Sequence, residues 1–152
     1  MRARFTFLLA LALAACTPGG AAMTGGGGGG NVTTIDVNLT LSQPVQTPYG
    51  RSGAMTPPVT TVPVGSVIQF TNTDSFAHTA SLIPGSTFPS ASPLTSAATT
   101  PHGATISTAN WTSGAMQAGT SSQPITVDKA GTYLYGCYFH FGAPMKGAIV
   151  AR

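Results

Sequence analysis

Residues 128–150 read DKAGTYLYGCYFHFGAPMKGAIV. Two runs rich in β-branched and aromatic side chains, Thr132–Tyr135 and the stretch that begins at Lys146, have the composition of short strands. Between them Cys137, His140 and Met145 follow the spacing Cys-x2-His-x4-Met. A loop that leaves one strand and enters the next can wrap three such side chains around one ion. Cys137 is also isolated, because the only other cysteine of the chain is Cys16. An unpaired thiol outside the cytoplasm is open to oxidation, so this one needs either burial or a ligand role.

Upstream, the same alternation predicts further strands. IDVNLTL puts Ile35, Val37, Leu39 and Leu41 on one face. PVGSVIQFTNTD opens with a Pro/Gly turn and continues as a strand through Val67, Ile68 and Phe70, ending at Asn72–Asp74. HTASLI begins another strand at His78, and Ile125–Val127 forms one more before a turn at Lys129–Gly131. No segment sustains apolar residues at i, i+3 and i+4. Six or seven short strands with Gly/Pro-rich turns predict an all-β, two-sheet sandwich. Residues 84–110, rich in Ser, Thr, Ala and Pro, read as a long irregular loop with one strand near Ala104–Ser107.

The composition excludes several classes of partner. Of 152 residues only 6% are charged, and the formal net charge of +3 includes Arg2 and Arg4 in the N-terminal segment. The remainder carries Arg51, Lys129, Lys146 and Arg152 against Asp36, Asp74 and Asp128. So neutral a domain has no electrostatic footprint for nucleic acid.

MRARFTFLLALALAAC opens the chain with two arginines and an apolar run too short to span a bilayer. Its last residues, LAAC, resemble the lipobox of bacterial lipoproteins. That resemblance implies a signal segment over 1–15 and a lipid on Cys16. Residues 16–31, dominated by glycine, read as a flexible tether to a domain over 32–152. The expectation is a lipid-anchored protein of the bacterial cell envelope, on the extracytoplasmic side.

Copper cycling between Cu(II) and Cu(I) needs ligands that both states tolerate: a thiolate, two imidazoles and a soft axial thioether. Cys137, His140 and Met145 supply three of these, and His78 supplies a second imidazole. The segment 128–150, with its Gly-Thr-Tyr strand, Cys-x2-His-x4-Met loop and Lys-Gly strand start, resembles the C-terminal signature of the cupredoxins, the plastocyanin-like small blue copper proteins. GSVIQFTNTDSFAHTASL, residues 65–82, resembles the family's other ligand segment. The resemblance implies a Greek-key β-sandwich, one type 1 copper ion held by His78, Cys137, His140 and Met145, and electron transfer without alteration of a substrate.

The sequence departs from plant plastocyanins at Gly136, where those proteins have a tyrosine that marks a second electron route, and it lacks their acidic patch. A monomer that meets redox partner proteins through an apolar face near His140, made of Phe139, Phe141, Ala143 and Pro144, is therefore expected.

Other readings of the same residues are a copper trafficking or storage lipoprotein without redox turnover, and a β-sandwich interaction module with no metal. Zinc fits a thioether poorly, and the Cys-x-x-Cys-His of c-type haem is absent. A Cys137–His140 nucleophile pair would need a third, orienting residue. His102 is read as a solvated loop residue. Met55, Met116 and Trp111 are read as packing residues.

Overall fold

A computed structural model describes residues 32–152. The signal segment, Cys16 and the glycine tether lie outside the described residues. The chain runs through β1 (Val32–Val37), β2 (Val45–Thr47), β3 (Gly50–Ser52), β4 (Met55–Thr56), β5 (Val59–Val62), β6 (Val67–Asn72), β7 (Ser81–Ile83), a 3-10 turn (Ser96–Thr99), β8 (Ile125–Thr126), β9 (Gly131–Gly136) and β10 (Lys146–Ala151). No α-helix occurs among these residues. One sheet has the order β4-β1-β6-β8, the other β5-β10-β9-β7, and β2 and β3 form a separate hairpin. The chain changes sheet five times, at each step from β4 through to β9, as in a Greek-key sandwich.

The first sheet is built on a parallel pair, β1 with β6, in which Val32 lies beside Val67 and Val37 beside Asn72. Ile35, Val37, Ile68 and Phe70 are fully buried by alternation from these strands. In the second sheet β9 and β10 run antiparallel, with Ala148 opposite Leu134 and Gly147 opposite Tyr135. Successive residues therefore point into different cores. Tyr135 and Ile149 join Phe70, Trp111 and Cys137 between the sheets, whereas Leu134 and Ala148 pack on the outer face with Ile83 and Phe141.

Covering that outer face explains the 84–110 segment. Phe88 and Leu94 from it, together with Tyr49 from the hairpin, pack on Leu134, Ala148 and Phe141. Phe88 N donates to Tyr49 O at 2.8 Å, which holds strap and hairpin together. The expected strand near Ala104–Ser107 does not form. Thr105 makes only an isolated bridge to Thr126, while Ile106 is fully buried. Further on, Leu82 N donates to Trp111 O at 2.9 Å and Ser113 N to Ala80 O at 2.9 Å, which covers the β7 edge.

Two other expectations are corrected. Among the described residues there are ten short strands rather than six or seven, because β2 to β5 carry too few residues each to show a period. And β1 stops at Val37 instead of continuing to Leu41, which is 83% exposed. Asn38 ends the strand: its Oδ1 accepts from Leu41 N at 2.9 Å and its amide donates to Thr73 O at 3.1 Å.

Candidate metal centre

Cys137 directly follows β9, and residues 137–145 return the chain to β10. The two ends of this loop are tied, with Cys137 N donating to Met145 O at 3.0 Å. His78 enters from the crossing between β6 and β7. Its backbone is fixed by Met116, through His78 N to Met116 O at 3.1 Å and Met116 N to His78 O at 2.8 Å. Asn72, the buried last residue of β6, shapes the turn before it. Its amide donates to Phe76 O at 2.8 Å and Met116 O at 2.9 Å, and its Oδ1 accepts from Asp74 N at 2.9 Å.

These supports bring three side chains from two loops to one point. Cys137 Sγ lies 3.8 Å from His78 Nδ1 and 3.7 Å from His140 Nδ1, and the two Nδ1 atoms are 3.2 Å apart. A metal with bonds of about 2.0–2.1 Å to imidazole and about 2.3 Å to thiolate, at angles of about 100–120°, separates such ligand atoms by about 3.1–3.8 Å. The triangle therefore matches the span of a single ion. Among the described residues no other cluster of three or more His, Cys, Asp or Glu side chains converges in this way. Met145 is fully buried in the same core as Cys137. One thiolate, two imidazoles and a neighbouring thioether are the donor set of a single type 1 copper.

Burial favours the neutral form of both Cys137 and His78. Burial pushes the Cys137 thiol up, and hydrogen bonds from Thr79, His140 and Phe139 partly offset this. Burial pushes the His78 imidazole down, against the opposing pull of Asp74. A neutral imidazole keeps its lone pair free for a ligand role, and a dry thiol needs a cation before it ionises. Thr79 N donates to Cys137 Sγ at 3.3 Å, and Thr79 Oγ1 accepts from Tyr138 N at 2.9 Å. On its other side, His78 Nε2 lies 3.2 Å from Asp74 Oδ2. Burial raises the Asp74 carboxyl, but hydrogen bonds from Thr40, Ser75, His78 and Leu39 outweigh it and hold the group well below the usual carboxylate range.

His78 is fully buried and His140 half-buried. The Phe76 ring lies 4.9 Å from the His78 ring and 5.2 Å from the His140 ring, with Phe76 40% and Phe139 45% exposed. Phe141 does not belong to this surface. It is 4% exposed and turned onto the outer core, with Lys146 Nζ 4.0 Å from its ring centroid. The apolar rim around His140 is thus Phe76, Phe139, Ala143 and the half-buried Pro144.

The structure brings together His78, Cys137 and His140, with Met145 buried beside them. His102 stays apart, exposed, and lines a cavity of about 410 Å³ with Leu82, Leu94 and Trp111. Met55, Met116 and Trp111 are buried in the core. Asp74, Phe76 and Thr79 were not singled out from the sequence. Their only signal was proximity to His78 in a stretch of small polar residues.

Residues 50–152 match the profile of the family described as copper binding proteins, plastocyanin/azurin family. No curated protein matches the chain. Among solved structures, a purple cupredoxin from Nitrosopumilus maritimus is 20% identical, covering 79% of this chain and 99% of its own, with a TM-score of 0.48. A pseudoazurin from Sinorhizobium meliloti is 22% identical over 80% of this chain and 74% of its own, with a TM-score of 0.47. A mutant plastocyanin of fern is 20% identical over 79% of this chain and all of its own, at 0.48.

Proposed function

Because the chain belongs to the plastocyanin/azurin family of copper-binding proteins, we propose that it is a lipid-anchored electron carrier of the bacterial cell envelope. The observation that carries the electron-transfer reading is the triangle of Cys137 Sγ, His78 Nδ1 and His140 Nδ1, with edges of 3.2, 3.7 and 3.8 Å. Bound copper would supply the one-electron Cu(II)/Cu(I) couple. His78, Cys137, His140 and Met145 would hold it, each fixed by backbone or side-chain contacts before any ion arrives. Such a frame changes little between charge states, which keeps reorganisation small. Thr79 N–H stabilises negative charge on sulfur, while the Phe76 ring packs against both imidazoles.

His140 is the more exposed of the two imidazoles, so its edge offers the shortest path to a partner. The rim of Phe76, Phe139, Ala143 and Pro144 supports docking by apolar contact rather than charge steering. No substrate need be altered within this chain. Anchoring rests on the lipobox-like LAAC and Cys16, and no helix among the described residues is long and apolar enough to cross a membrane.

The test of electron transfer is the visible spectrum of the purified protein with Cu(II). An intense blue thiolate-to-copper band that bleaches reversibly with a mild reductant supports the reading. Absence of that band, or its persistence in Cys137→Ser, overturns it. Tight Cu(I) binding without a stable Cu(II) form would instead indicate copper trafficking. Anchoring is tested by intact-mass measurement for a lipid on Cys16 and by release of Cys16→Ser from membranes.

A further inference from the structure

Asp74 lies four residues before His78, and its side chain meets the imidazole at the nitrogen that faces away from Cys137 and His140. The distance from Asp74 Oδ2 to His78 Nε2 is 3.2 Å. The carboxylate is not free to follow the ring. It also accepts from Leu39 N at 2.9 Å, Thr40 N at 3.3 Å, Ser75 N at 2.9 Å and the Thr40 hydroxyl. Those donors come from the chain just after β1 and from the turn after β6, two segments already joined by Asn38 and Thr73. The position of the carboxylate is therefore set by the end of the first sheet, and the imidazole is aligned to it.

A neutral imidazole carries one proton, and which nitrogen holds it is decided by the partner of the other. An ionised carboxylate at Nε2 can only accept, so the proton sits there. The lone pair is then on Nδ1, the atom 3.8 Å from Cys137 Sγ and 3.2 Å from His140 Nδ1. We propose that Asp74 is a positioning residue: it fixes His78 in the Nε2–H tautomer, presents Nδ1 as the ligand atom, and ties the metal centre to the end of β1. The inference rests on the copper reading above, but its first test does not need copper.

A second effect follows from charge. A carboxylate hydrogen-bonded to a ligand makes that ligand more basic and favours the more positive ion. Asp74 thereby lowers the reduction potential of the loaded site.

The decisive measurement is the nitrogen chemical shifts and long-range couplings of the His78 ring in metal-free wild-type protein. A proton on Nε2 supports the proposal; a proton on Nδ1 overturns it, whatever the variants do. In Asp74→Asn the single amide oxygen cannot serve Leu39, Thr40, Ser75 and His78 together. The expected results are a mixed tautomer, a Cu(II) affinity lower by about 10–100-fold and a more positive potential. Asp74→Glu should restore part of each. Thr40→Ala separates positioning from mere support, because it removes a donor to Asp74 without touching the ring. It should lower stability and shift the potential less than Asp74→Asn, with the proton still on Nε2, because Leu39 N, Thr40 N and Ser75 N continue to hold the carboxylate. A folded Asp74→Asn with wild-type affinity and potential would overturn the proposal, as would a shift in Thr40→Ala equal to that in Asp74→Asn. If copper gives no blue band while the Nε2 tautomer is found, the electron-carrier reading falls and the positioning role of Asp74 stands.

Discussion

Thr79 reaches the Cys137 segment twice: its backbone N–H points at Cys137 Sγ from 3.3 Å, and its hydroxyl accepts from the very next amide, that of Tyr138, at 2.9 Å. One residue thus sets both the charge environment of the sulfur and the direction in which the ligand loop leaves β9. Thr79→Ala keeps the first contact and deletes the second, leaving the Tyr138 amide without its partner. A loss of about 1–3 kcal/mol in unfolding free energy is expected, read by urea denaturation of the metal-free protein. Thr79→Ser should recover most of it, and equal stabilities for all three proteins would refute the role.

The two histidines differ in burial, and their truncations should differ in kind. His140 is half-buried, so His140→Gly leaves a gap open to solvent that added imidazole can enter. A blue band lost on mutation and regained on titration with imidazole is the expected result. His78 is fully buried against Phe76 and Asp74. His78→Gly should show no such rescue, because imidazole would have to enter a closed space.

Acid lability of the metal-free protein follows from the two depressed groups. His78 has a folded pKa below its unfolded one, so the unfolded chain binds more protons in that window. Stability is then fully present above the ordinary histidine pKa, about 6.5, and declines as pH falls through the folded value. Asp74, also depressed, adds a second decline that starts below the ordinary aspartate pKa of about 3.9. Urea midpoints measured from pH 7.5 downward should fall first in the histidine range, and His78→Asn should remove that first decline. A flat profile between pH 7 and 5 in the wild type would contradict it.

Gly147 sits opposite Tyr135 across β9 and β10, and a Cβ there would lie 2.4 Å from the Tyr135 hydroxyl. Gly147→Ala should therefore cost about 1–3 kcal/mol through overpacking. The Tyr135 hydroxyl is buried with no hydrogen-bond partner, so Tyr135→Phe should be close to neutral by itself. The ring carbon Cζ would still lie 2.5 Å from that Cβ, so it is Tyr135→Leu, which shortens the side chain, that should recover part of the loss in the double variant. Strict additivity of the two changes in thermal or urea unfolding would show that the two positions do not interact.

Docking through an apolar rim predicts a characteristic kinetic pattern. Phe76→Ser and Phe139→Ser should slow bimolecular electron exchange with protein partners, leaving the reduction by a small inorganic complex much less affected. The rate for the wild type should change little between low and moderate salt, since the described residues carry four Lys/Arg against three Asp. A steep salt dependence in stopped-flow traces would point to charge steering instead.

The ligand loop was legible because it is local: the residues that hold Cys137, His140 and Met145 apart are those between them, and strand signals flank them on both sides. His78 is distant in sequence, and spacing alone could not bring it to the loop; the resemblance of 65–82 did. Asp74 and Thr79 were hidden because a short polar residue in a turn reads as punctuation until its partner is known. The same hydrogen bonds from Asn38 and Asp74 ended β1 early, although Leu39 and Leu41 continued its alternation. Residues 84–116 gave no period because they cover a sheet through isolated bridges and scattered anchors such as Phe88, Leu94 and Ile106. Phe141 was misplaced for a related reason. Loop residues alternate without a fixed pleat, and Lys146 drew its ring onto the outer core.

The parallel pairing of β1 with β6 has a consequence for orientation. Val37 lies beside Asn72, at the end that carries His78 and the ligand loop, whereas Val32 lies beside Val67 at the opposite end. Six residues of strand separate these poles by about 17 Å. Val32 therefore lies at the base of the sandwich, opposite the ligand loop. A body that covers the histidine pole leaves the Val32 end, a full strand length away, uncovered.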